Sequence, residues 1–97
     1  MVTVTSGLKV LTVSRSGMGK VTGPGIACGN GAGVDCSEAY LPGTTVTLTA
    51  TAFTNTRIGE IWTFDHWEGA CTGTARSCTV TMSAARSVKA VFVNLSA

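Results

Sequence analysis

Residues 44–52 read TTVTLTATA, with hydroxyl and apolar side chains in strict alternation from Thr45 onward. A period of two belongs to a strand with one buried face. Val46, Leu48 and Ala50 are therefore expected to face a core, and Thr45, Thr47, Thr49 and Thr51 to face water. Residues 77–82 alternate in the same way, with Val80 and Met82 inward, and residues 87–93 place Val88, Ala90 and Phe92 on one side. Residues 8–14 alternate more loosely, with Leu11 and Val13 as core candidates; after the break at Gly17 and Gly19 the pattern resumes at 20–23 with Val21. Two strands around a glycine connection predict a β-hairpin here. Residues 61–68 carry Trp62, Phe64 and Trp67. Phe64 and Trp67 are three apart, so both can face a core only if a bulge sits near Asp65 and His66. Gly23-Pro24-Gly25, Asn30-Gly31 and Leu41-Pro42-Gly43 mark turns, residues 53–60 read as a loop, and 83–86 as a short connection with room for one helical turn.

The expected fold is therefore mainly β: a small antiparallel sheet of about six short strands spanning residues 8–93, with a linker at 1–7 and a tail at 94–97. Composition agrees. Charged residues make up 12% of the 97, against a usual ~25%, and mean hydropathy is +0.34. Disordered chains show the opposite balance. No apolar run approaches the ~18 residues of a membrane span, so no membrane insertion is expected. Sixteen Thr and eight Ser carry the solubility that charge does not. The net charge is +2, and Lys9, Arg15, Lys20, Arg57, Arg76, Arg86 and Lys89 are scattered. Nucleic-acid binding needs a basic stripe with stacking aromatics, and the chain has no such stripe.

The four cysteines change the picture most. Cys28 and Cys36 enclose seven residues, and Cys71 and Cys78 enclose six. Paired zinc ligands sit two to four residues apart and often include histidine, yet His66 is the single histidine. Four buried free thiols would suit a cytosolic protein; two disulfides suit an oxidising compartment. Four cysteines allow three connectivities. The local one, Cys28–Cys36 and Cys71–Cys78, is preferred because GNGAGVD and TGTARS are turn-rich segments that bring the ends together. Met1 opens directly onto VTVTSG without a charged and apolar leader. The chain is accordingly expected to be a piece of a longer exported protein, its signal peptide lying outside this fragment.

Chemistry is sparse. Asp65, His66 and Glu68, around Trp67, are the one segment with catalytic residue types. In a regular strand neighbours point to opposite faces, so Asp65 and His66 are not expected to converge, and no catalytic role is assigned. No Gly-x-Ser-x-Gly elbow accompanies the serines. The glycines around Met18 and at 29–33 lack the strand–loop–helix setting and following Lys of a phosphate loop. Asp35, Glu38 and Asn30 are too few for calcium, and the sequon Asn94-Leu95-Ser96 falls at the chain end. No cofactor or metal is expected, and no enzymatic activity.

LTVSRSGMGKVTG, the I-A-C-G…C stretch, Y-L-P-GTTVTLTATA, F-D-H-W-E-G-A-C-T-G…C-T-V-T-M and RSVKAVF, in this order, resemble the divergent InlB B-repeat domain. The resemblance covers residues 8–93, with F-x-x-W-x-G-x-C and V-x-A-x-F its more specific parts. It implies a module, β-grasp-like in fold, that occurs in secreted or surface-anchored bacterial proteins, often in tandem. Two functional classes follow. One is an extracellular structural or adhesive bead whose partners are the neighbouring domains, with self-association possible through edge strands. The other is an accessory module binding a polysaccharide or a protein surface through an exposed aromatic, with Trp62 first and Tyr40 next as ligand contacts.

Overall fold

The computed structural model describes residues 7–29 and 33–95. Ten strands form: β1 (Lys9–Ser16), β2 (Gly19–Gly23), β3 (Ile26–Gly29), β4 (Gly33–Asp35), β5 (Ser37–Tyr40), β6 (Thr45–Ala52), β7 (Thr54–Asn55), β8 (Glu60–Gly69), β9 (Ser77–Thr81) and β10 (Arg86–Asn94). In β6 the alternation is obeyed residue by residue: Val46, Leu48 and Ala50 are buried and the threonines between them exposed. β10 behaves alike, burying Val88, Ala90 and Phe92. The Asn30-Gly31 turn lies outside the described residues.

The strands make two five-stranded sheets, ordered β5-β1-β10-β8-β7 and β4-β3-β2-β6-β9. Leu11, Val13, Trp67, Val88, Ala90 and Phe92 from the first meet Val21, Ile26, Cys28, Val46, Leu48, Ala50 and Val80 from the second in one core, joined by Cys71 and Met82. Fully burying a Val, Leu or Phe side chain is worth about 1.5–3 kcal/mol, so this shared layer is the main cohesive element. The chain crosses between sheets after β1, β4, β5, β6, β8 and β9.

Three expectations need correcting. The strands number ten in two sheets, where the sequence predicts about six in one. Of the four additional strands, β3 buries Ile26 and Cys28 in alternation but is only four residues long, β4 is exposed throughout, β5 nearly so, and β7 has two residues. The hairpin across Gly17 does not form, because β1 is flanked by β5 and β10 while β2 lies in the other sheet between β3 and β6. Val21 joins the same core as Leu11 and Val13 from the opposite sheet, with no ladder between their strands. Finally, the antiparallel expectation holds for all strand pairs but one: β1 and β10 run parallel, from Leu11 opposite Arg86 to Ser16 opposite Val91. No described residue is helical, and the link before β10 is a bend without a helical turn.

Candidate functional site

The register of β8 slips once against β10: Val91 pairs with His66 and Phe92 with Phe64, which leaves Asp65 as the extra residue. This is the bulge that the spacing of Phe64 and Trp67 demands. Trp67 is 2% exposed, and the Phe64 ring lies 5.0 Å from it and 5.7 Å from Phe92. The Trp67 indole Nε1 donates to the Ala75 carbonyl at 2.6 Å.

The bulge also overturns the expected separation of Asp65 and His66. Strict alternation divides them between faces, but alternation fails at an inserted residue. Asp65 Oδ2 lies 2.6 Å from His66 Nδ1, and Glu68 Oε2, two residues on and on the same face, lies 2.9 Å from Nε2. A neutral imidazole has one N–H, so two ionised carboxylates are both satisfied only by the imidazolium, which donates from each nitrogen. The His66 pKa is accordingly raised, by the Glu68 hydrogen bond first and the Asp65 bond second, against a lowering by burial. That of Glu68 is lowered, chiefly by the bond from His66, with desolvation opposing and Lys89 assisting. The carboxylate side chains are half exposed (52% and 51%), so solvent screens the pairing. With both ring nitrogens engaged, His66 presents no lone pair to a metal or substrate proton. Among the described residues no three His, Cys, Asp or Glu side chains are placed to hold a metal ion.

A pH effect follows from the two shifts. Stability from the raised His66 pKa is fully present below the unfolded value near 6.5 and is lost as pH rises through the higher folded value. Stability from Glu68 is present above its unfolded value near 4.5 and is lost as pH falls through the lower folded one. Urea melts of His66→Gln against the parent should therefore differ most between these two values and converge in alkali. A difference independent of pH would show that the ring acts through packing alone.

Trp62 lies farther down β8, half-buried against the core. Its Nε1 donates to Glu60 Oε1 at 3.3 Å. Gly17 sits behind the ring with φ +83, and a Cβ there would come within 2.8 Å of Trp62 Cζ3, so a glycine is needed both for the turn and for the indole. The exposed side of Trp62 borders a groove of about 410 Å³, lined also by Thr49, Ala50, Thr51, Ala52, Thr54, Thr63 and Arg76. Sequence reasoning finds Trp62 but misses its companions. The β6 threonines read as ordinary water-facing positions, and nothing local distinguishes Arg76 from other scattered cations. Tyr40 is distant from this groove in the fold, at the end of β5, and its hydroxyl donates to the Pro24 carbonyl. Its pKa is raised, first by desolvation and then by Glu38 and Asp35.

The cysteines pair as the turn-rich segments suggest, Cys28 with Cys36 and Cys71 with Cys78, at Cα separations of 4.8 and 6.2 Å. Both bonds sit where the chain changes sheets. Cys28 is in β3 of one sheet, while Cys36 precedes β5 and its carbonyl accepts from Val13 N of β1 in the other, at 2.7 Å. Cys71 follows β8 of the first sheet and Cys78 lies in β9 of the second.

These features define a class: a two-sheet β module, stapled by disulfides at its crossovers, whose aromatic strand folds around a bulge. The sequence profile of the divergent InlB B-repeat domain matches residues 9–96, and the chain belongs to that family. No curated protein and no solved structure matches it. Family and disulfides are both compatible with an extracellular location.

Proposed function

We propose that this chain is a non-catalytic structural or adhesive module of a larger bacterial surface or secreted protein, acting outside the cell between neighbouring domains. The observation that carries this reading is the placement of the two disulfides, each tying one sheet to the other at a crossover. Such bonds persist in oxidising surroundings, and they resist the unfolding that proteases and shear promote. The Asp65, His66 and Glu68 cluster supports the same reading, because its donors and acceptors are spent on one another rather than aimed at a substrate. Partners are then the flanking domains. The sheet edges β4, β5, β7 and β9 offer strands through which copies could associate.

The test is on intact cells of the source organism, with an antibody to the domain and a membrane-impermeant maleimide. The domain should be accessible from outside, and its cysteines should be alkylated only after reduction. Reduced cysteines in a cytosolic fraction would overturn the proposal. A second reading, an accessory binding module, is favoured by one observation, the groove beside Trp62. Tyr40, with its hydroxyl bonded to Pro24, adds little to it.

A further inference from the structure

We infer that the groove beside Trp62 is a binding site for an acidic oligosaccharide, a short chain of sugar rings bearing carboxylates. This deepens the binding-module reading and is independent of the structural one, since a spacer can carry a ligand site or lack one. The groove exists because two strands stop early. β9 begins at Ser77, opposite Thr49, yet β6 continues to Ala52, so the end of β6 has β2 on one side and no strand on the other. β7 covers β8 only at Glu60 and Ile61. Between these shortened edges the groove opens, with a volume of about 410 Å³ that falls in the ~300–1,000 Å³ range of small-ligand sites.

Each part of the lining suits a sugar acid. The Trp62 ring offers a flat apolar surface for the C–H face of a pyranose, and it is held in place by Glu60 and by the close approach of Gly17, so little ordering is lost on binding. Thr51, Thr54 and Thr63 supply hydroxyls that donate and accept, as a polyol requires. Arg76 is exposed, makes no ion pair among the described residues, and is the single charged residue of the lining. Its backbone is anchored by the bond from Ala50 N to Arg76 O at 2.7 Å. A guanidinium fork matches a carboxylate in shape and charge. An extended peptide would instead add to the sheet edge through a ladder of main-chain bonds. Ala50 N is already taken by Arg76 O, so the free stretch at the end of β6 is only two residues, 51–52, which is short for such a ladder.

The probes are trigalacturonate, its neutral counterpart galactotriose, and a glutamate-rich hexapeptide, titrated into the disulfide-bonded chain. Trp67 is 2% exposed, so a change in tryptophan emission reports Trp62. Trigalacturonate should bind and shift the emission, with galactotriose weaker. Arg76→Gln, at an exposed position, should weaken trigalacturonate about tenfold or more. Lys89→Gln removes the same charge from the opposite face of the β8–β10 sheet, beside Glu68, and should leave the affinity within about twofold. Failure of trigalacturonate to bind, or binding no tighter than that of galactotriose, would overturn the inference, as would equal weakening by the two charge variants. Tighter binding of the hexapeptide would reassign the groove to a peptide.

Discussion

Replacing Trp67 by alanine is expected to lower stability by about 3–5 kcal/mol. The indole occupies the junction where β8, β10 and the loop after β8 meet. The Trp67 backbone pairs with Ala90, its backbone N–H donates to Gly73 O at 2.9 Å, and its ring lies tilted against Phe64 at 5.0 Å. Truncation would empty the largest side-chain volume in this part of the core, and the neighbouring β10 is fixed by ladders to β1 and β8 on its two sides, which limits collapse. It would also strand the Ala75 carbonyl that accepts from Nε1. A domain of this size has a total stability of about 5–15 kcal/mol, so the variant would be marginal at room temperature. Urea melts followed by far-UV circular dichroism give the comparison. A loss below about 1 kcal/mol would mean that the Trp67 site is not a close-packed core position. Trp67→Phe keeps an aromatic ring, loses only the hydrogen bond and part of the volume, and should fall between parent and alanine variant.

The same residue shows how far the sequence is readable. The inward positions of β6, β9 and β10 can be read directly, because a half-buried strand writes its orientation as an alternation of period two. The bulge in β8 is readable too, since Phe64 and Trp67 cannot otherwise share a face. What the bulge does to Asp65 and His66 is not: the inserted residue's direction depends on local backbone geometry, which residue types do not encode. The hairpin across Gly17 fails for a different reason. A glycine break between two alternating runs signals a change of direction equally well whether the chain returns along the same sheet or crosses to another. Long-range pairing decides it, because β5 and β10 take the two sides of β1 and leave β2 neither of them. The groove was illegible for the same reason. Thr51, Trp62 and Arg76 come from three separate segments, and only the early ends of β7 and β9 bring them to one opening.

Removing both disulfides, by reduction or by serine at all four cysteines, is expected to cost about 5 kcal/mol. The bonds close sequence separations of 8 and 7, and short loops of this kind restrict the unfolded chain by about 2.5 kcal/mol each. Their positions make the loss more than local. The first holds β3 against the segment that enters β5, and the second holds the exit of β8 against β9, so the two clamps bind the sheets together at separate crossovers. Cys28 and Cys71 are also buried in the core, at 2% and 5% exposure, and a serine hydroxyl there has to find a hydrogen-bond partner. The pair Cys28→Ser with Cys36→Ser should lose about 1–3 kcal/mol and remain folded, because the other clamp and the core persist. The four-serine chain should be largely unfolded at room temperature if the parent sits near the lower end of the usual stability range. Denaturant melts of parent, the single-pair variant and the four-serine variant test the order. If the four-serine chain melts within about 1 kcal/mol of the parent, burial alone holds the sheets, and the disulfides contribute little to the domain's durability.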